Sequence, residues 1–262
     1  MSGGGPRRAS RHAAERARLA ALVRASGAVV SIVLLVDTIG GRVSDGSPAY
    51  DASATTAPPV TLVPLSSTDG VAPVITRVDT TDPVVFLTID DGHTRSPEVR
   101  AALEEAGVPA SLFLIDGPVE ADAEFFRRLP DTVVEAHTRT HPDLRTLSEE
   151  GQRAEICGNA DLIERTFGRR PVLFRPPYGA YNEATTRAAA ACGMAAVVLW
   201  EETVNGDVVG YRRLPQLRRG DIMLMHFGPS FVTELRALAE LVEQAGLRFA
   251  LLEDYVVPDS VG

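Results

Sequence analysis

Cysteine is almost missing from this chain: Cys157 and Cys192 are the only two in 262 residues. That is too few for a disulfide-built scaffold or a Cys-rich zinc site, although an even pair permits one bridge in an oxidising compartment. Net positive charge is missing as well. The formal charge is −9, and because residues 1–24 hold six Arg against one Glu, the remainder carries −14. An acidic body of this kind argues against nucleic acid as a partner. Long apolar runs are scarce. Residues 25–36 form an uninterrupted stretch of the length of a signal's apolar core, and counting back through Arg24 to Leu19 gives 18 residues, near the lower limit for a spanning helix.

What is present is a globular composition, 45% apolar and 23% charged, arranged in three parts. Residues 1–40 place Arg7, Arg8, Arg11, Arg16 and Arg18 ahead of the apolar stretch, which reads as an export signal or a single-pass membrane anchor with the arginines inside. Cleavage and retention both fit, and the lack of a small-x-small site directly after Val36 favours an anchor. Residues 41–78 are rich in Ser, Thr, Pro, Gly and Ala without helical period, the texture of a spacer. Residues 79–262 then alternate short apolar runs with amphipathic segments. Strands are predicted at 84–89, 110–115, 132–136, 171–174, 195–199, 221–225 and 248–252, with helices at 97–106, 120–129, 148–167, 183–192 and 231–245.

Such alternation implies an α/β protein with parallel strands and helices outside. An open doubly wound sheet also fits it. Asp90 and Asp91, His137, Arg175, Trp200 and His226, however, each stand at the C-terminal end of a different predicted strand. A closed or nearly closed barrel gathers such ends around one pocket, on the face where barrels do chemistry. Cys157 and Cys192 fall on consecutive outer helices, so a disulfide between them is expected, two buried thiols being the competing reading.

The chain has five histidines, and two of them, His137 and His141, sit four apart in E-A-H-T-R-T-H-P, where Pro142 disfavours a helix at His141. A His-x-x-x-His pair alone is weak evidence. It gains weight from the carboxylates of L-T-I-D-D-G, because catalytic zinc takes three protein ligands and leaves a position for water. Two adjacent aspartates resist joint ionisation unless a cation is near, and Gly92 relaxes the turn that follows them. Without the histidines, a pair of solvated turn aspartates or an N-cap would be the better reading.

Taken in order, T-I-D-D-G, H-T-R-T-H-P, F-R-P-P-Y-G and L-M-H resemble the motifs of the polysaccharide deacetylases, carbohydrate esterase family four, also called the NodB homology domain. The resemblance runs from about residue 82 to about residue 256. It implies a distorted (β/α)7-type barrel and a metal-dependent hydrolase removing acetyl groups from chitin-like or peptidoglycan sugars. By resemblance Asp91, His137 and His141 hold a divalent metal, zinc before cobalt or nickel. Asp90 is then the base that activates water, Arg175 orients it, the backbone N–H of Tyr178 meets the oxyanion, and His226 protonates the leaving amine. Leu224 and Trp200 line the slot for the acetyl methyl, Trp200 being equally readable as core packing.

Two features depart from the family pattern. After the fifth strand the family often carries an Asp-Trp pair, where this chain has W-E-E-T-V-N-G-D and no second Trp. Glu201, Glu202 and Asp207 are expected either to make an acidic lip that favours neutral or cationic polymers, or merely to face solvent. His93, directly after D-D-G, reads as a solvated loop residue able to reach the pocket mouth. The chain is therefore read as a monomeric deacetylase of acetylated polysaccharide working outside the cytoplasm. An O-acetyl esterase of xylan and a silent carbohydrate-binding protein are the alternatives.

Overall fold

The computed structural model describes residues 70–204 and 217–256. The export segment, residues 41–69 of the spacer and Asp207 lie outside the described residues. Among the described residues no helix is long and apolar enough to cross a membrane.

In chain order the elements are β1 (Val74–Ile75), β2 (Val84–Asp91), α1 (Pro97–Ala106), β3 (Ala110–Leu114), α2 (Asp116–Arg127), β4 (Thr132–Ala136), α3 (Glu149–Phe167), β5 (Leu173–Phe174), α4 (Glu183–Ala191), β6 (Ala196–Val198), β7 (Glu202–Thr203), β8 (Ile222–His226), α5 (Phe231–Gln244) and β9 (Arg248–Phe249). The sheet runs β1-β6-β5-β4-β3-β2-β8-β7, with β9 also paired to β2, and every strand ladder is parallel. The strand ladders leave a seam between β1 and β7/β8. It is crossed by an antiparallel bridge between Arg77 and Asp221 and by Val78 N–H donating to Gly220 O at 2.8 Å. Only glycine suits that seam, because Gly220 has φ +84° and a Cβ there would lie 1.9 Å from Val78 O. The result is a distorted (β/α)7-type barrel.

All seven predicted strands are present. The two additional ones, β1 and β7, have two residues each, as β5 and β9 do, but unlike those two they do not fall within an apolar run of strand length. Strand β1 falls within the stretch whose composition reads as spacer, yet Ala72 and Val78 on either side of it are buried. The packed chain thus begins before residue 79. Helix α2 starts four residues ahead of its expected position and is broken at Asp122 (φ −159°, ψ 68°).

Strand β2 sets the layers of the molecule. Val85, Leu87 and Ile89 face the outer helices, packing with Val99 and Leu103 of α1 and Leu235 and Leu238 of α5. Burying each such side chain fully contributes about 1.5–3 kcal/mol. The alternate positions Phe86, Thr88 and Asp90 point into the barrel, so one strand of period two grades from an apolar floor to a charged top. Tyr255 plugs the floor, its ring edge-on to Phe86 at 5.0 Å.

Helices α3 and α4 pack on a third cluster and are joined by the Cys157–Cys192 disulfide, with Cα atoms 5.0 Å apart. The expected bridge is present. Spanning 35 residues, it contributes about 3–4 kcal/mol on the loop-entropy account.

Candidate active site

Asp90 and Asp91 end β2, and the backbone sends them to different partners. Asp90 is 3% exposed, and its Oδ1 accepts from Arg175 Nη1 at 2.7 Å. Arg175 follows β5 directly and is 0% exposed. Its remaining donors go to Thr88 Oγ1 (2.8 Å), Val198 O and Leu199 O (3.2 Å each), and its guanidinium lies 4.2 Å from the Phe113 ring centre. Burial draws the Arg175 pKa down from its ordinary value, opposed by Asp90. A buried ion pair is tolerable only when its donors and acceptors are satisfied, and here the guanidinium has a partner on every nitrogen.

Asp91 adopts φ +70° and Gly92 φ +89°, with Gly92 N–H donating to Asp90 O at 3.0 Å. Two consecutive left-handed residues turn the chain sharply enough for neighbouring carboxylates to share one pocket. Gly92 cannot be replaced, since a Cβ would meet Phe126 Cζ at 2.9 Å. Asp91 Oδ1 lies 3.4 Å from both His137 Nε2 and His141 Nε2. Burial pushes the Asp91 carboxyl up, but His137, His141 and His226 together outweigh it and hold it below the usual range. Burial and the neighbouring His137 lower the pKa of His141.

These three residues fit a cation. His137 Nδ1 sits 2.8 Å from Arg175 O, a group that can only accept, so Nδ1 carries a proton and, in the neutral ring, Nε2 turns a lone pair towards Asp91. Asp91 Oδ1 is buried with no hydrogen-bond partner among the described residues. An acceptor on the ring facing an orphaned carboxylate oxygen is unfavourable until a positive charge lies between them. Asp91, His137 and His141 each present a ligand atom within 4.8 Å of the others, so the group can bind a metal.

The loop that carries the histidines is strained. Thr138 (φ +74°) and His141 (φ +61°) are left-handed, as is Tyr178 (φ +62°) across the pocket, each costing about 1–3 kcal/mol. The Tyr178 ring packs edge-on to His141 at 4.8 Å and is 70% exposed at the rim. His226 ends β8 in register with Asp90 and is exposed, while Leu224, two residues earlier, is 3% exposed. Trp200 packs against the Pro177–Gly179 turn, where a Cβ on Gly179 would meet its ring at 3.0 Å, and its ring centre lies 5.6 Å from the Arg175 guanidinium. His93 is exposed beyond Gly92.

The expected acidic lip is weaker than its sequence. Glu201 accepts from Thr76 Oγ1 (2.6 Å) and Arg218 Nη2 (2.9 Å), so its charge is paired. The hydrogen bond from Thr76, and the Arg218 charge after it, hold its pKa down. Glu202 is pushed up by burial, by Asp221 and by Glu201.

Three residues that bear on the site escaped the sequence reading. Thr88 accepts from Arg175 and donates to Met223 O at 2.6 Å; its place two before Asp90 on the inward face was the available signal. Glu155 and Asn159 on α3 hydrogen-bond the histidine loop. Asn159 lies on the apolar face of α3 with Gln152, Ile156 and Ile163, and an amide at such a position marks a buried polar task.

The family model described as polysaccharide deacetylase matches residues 77–197. A chitooligosaccharide deacetylase of Sinorhizobium fredii is 30% identical, over 59% of this chain and 76% of its own length. The chain belongs to the polysaccharide deacetylase family. An uncharacterised protein of Streptomyces coelicolor shares 42% identity over 70% of this chain and 77% of its own. The family 4 carbohydrate esterase from Streptomyces lividans, solved in complex with acetate, superposes with a TM-score of 0.58 at 25% identity, covering 68% of this chain and 98% of that one. The matched segment of this polysaccharide deacetylase includes Asp90, Asp91, His137, His141, Arg175 and Tyr178. Trp200, Leu224 and His226 lie beyond it.

Proposed function

We propose that the chain is a metal-dependent hydrolase removing acetyl groups from N-acetylated glucosamine polymers, chitin-like or peptidoglycan, outside the cytoplasm. The observation that carries the reading is the orphaned Asp91 Oδ1 facing two histidines, with the Arg175-bound Asp90 beside it. Asp91, His137 and His141 would hold a divalent cation, zinc suiting a donor set of two imidazoles and one carboxylate, with cobalt or nickel compatible. Such an ion acts as a Lewis acid on the acetyl carbonyl and makes water more acidic.

The protein's own groups do the rest. Arg175 fixes Asp90 through Oδ1, which leaves Oδ2 to take a proton from the attacking water. The Tyr178 backbone N–H stabilises the oxyanion. His226, in register with Asp90 on the neighbouring strand, protonates the leaving amine. Leu224 and Trp200 border the acetyl methyl. Residues 1–40 serve as export signal or anchor, the stretch from residue 41 to the packed domain as spacer, and a disulfide between outer helices suits an oxidising compartment.

Acetate release from chitooligosaccharide, peptidoglycan and acetylated xylan by the zinc-loaded chain tests this directly. Release from the N-acetylated substrates is expected. Release from xylan alone would make the chain an O-acetyl esterase, and none from any substrate would favour a silent binder.

A further inference from the structure

We propose that Glu155 and Asn159 of α3 are positioning residues that hold the loop 137–141 in its metal-binding conformation, an inference that rests on the metal reading above. Four of the five backbone N–H groups in this loop donate to side-chain oxygens. His137 N–H goes to Asn159 Oδ1 at 2.9 Å, Arg139 and Thr140 N–H both go to Glu155 Oε2 at 2.9 Å, and His141 N–H goes to Thr138 Oγ1 at 3.1 Å. Glu155 Oε1 also accepts from Thr140 Oγ1 at 2.9 Å. With Thr138 and His141 left-handed, the loop departs from strand geometry, and its donors need partners other than a neighbouring strand.

The amide of Asn159 is itself fixed, donating to Leu114 O (3.1 Å) and Asp116 Oδ1 (2.9 Å). Asp116 Oδ2 in turn accepts from Arg139 Nε at 3.1 Å. Residues 155, 158 and 159 share one helix face. At its centre Gly158 lets Arg139 lie flat, since a Cβ there would be 2.5 Å from Arg139 Cδ. The helix face is thus shaped to the strained loop and touches no ligand atom directly. Such outer partners set ligand orientation, and losing one lowers metal affinity about 10- to 100-fold.

The test uses the full chain in detergent. Zinc affinity is measured by chelator competition, the visible spectrum is recorded on the cobalt-loaded protein, and thermal unfolding is followed on the metal-free protein. Glu155→Ala is expected to weaken zinc binding at least 10-fold and to change the cobalt bands, with Glu155→Gln, which keeps the acceptor, restoring most of the affinity. Ile163→Val, a buried change elsewhere on α3, should lower the unfolding midpoint without altering affinity or spectrum. If Glu155→Ala does not fold, Thr140→Val at its exposed position removes one bond to Glu155, and a several-fold weaker affinity is expected. Unchanged zinc affinity and cobalt bands in the folded Glu155→Ala, or in Thr140→Val if it stands in, would overturn the inference. A wild-type chain that binds neither ion would instead overturn the metal reading on which it rests.

Discussion

The barrel buries carboxylates at both of its ends and treats them in opposite ways. At the plug end Glu135 is fully satisfied, accepting from Arg169 and from Val172 and Leu173 N–H at 2.8 Å each. Nearby Glu253 accepts from Ser111 Oγ at 2.8 Å, and burial, with the Glu135 charge adding to it, pushes its pKa up to about 8. That end disposes of charge by hydrogen bonding and protonation. At the catalytic end Asp90 is satisfied by Arg175, while Asp91 Oδ1 is left without a partner in front of two imidazoles, on a backbone that is itself strained. Glu253 Oε1 also lacks a partner among the described residues, but burial raises its pKa so that it takes a proton, whereas the orphaned oxygen of Asp91 belongs to a carboxyl held below its usual pKa in front of two histidines.

Substitutions at the catalytic end should have the largest effect. Asp91→Asn, His137→Ala and His141→Ala are expected to abolish turnover together with metal binding, read by acetate release and metal content. Arg175→Ala strands Asp90 in the core, so a loss of about 3–5 kcal/mol in denaturant unfolding is expected along with lost activity. An Arg175→Ala protein of wild-type stability would erase the contrast between the two ends.

Removing the bridge sharpens the contrast, because α3 borders the histidine loop. Cys157→Ser with Cys192→Ser should cost up to about 3–4 kcal/mol in unfolding free energy. The effect at the plug end shows only as pH rises. An unfolded Glu253 releases its proton near 4.5 and the folded one near 8, so stability falls as pH rises across that window. Glu253→Gln should flatten this slope, raising the unfolding midpoint at pH 8 and barely moving it at pH 4.5. A slope that survives the substitution would assign it to other groups.

How much of this was legible in the sequence follows from the range of each interaction. Seven strands and the gathering of strand-end residues at one pocket were readable because period two and strand-end placement are local, and Asp90, His137 and Arg175 stand directly at strand ends, whereas the ligand roles of Asp91, His137 and His141 came from the family resemblance. Strands β1 and β7 were not readable: β7 is Glu-Thr and β1 lies in a stretch whose composition reads as spacer, whereas the equally short β5 and β9 sit in apolar runs. The pairing of Glu201 with Arg218 and Thr76 depends on the barrel seam, so three nearby carboxylates in the sequence could not show that one of them is neutralised. Glu155 and Asn159 were hidden for a similar reason. Their partners lie 15 to 45 residues away, and only the buried face of α3 hinted at them.

The central claim is that Asp90 and Asp91 divide the work, one handling a proton and the other holding the ion. Zinc content and acetate release measured side by side on Asp90→Asn and Asp91→Asn test it most directly. The account predicts that Asp90→Asn keeps its zinc and loses turnover, whereas Asp91→Asn loses both. Near-normal turnover in Asp90→Asn, or undiminished zinc in Asp91→Asn, would contradict it.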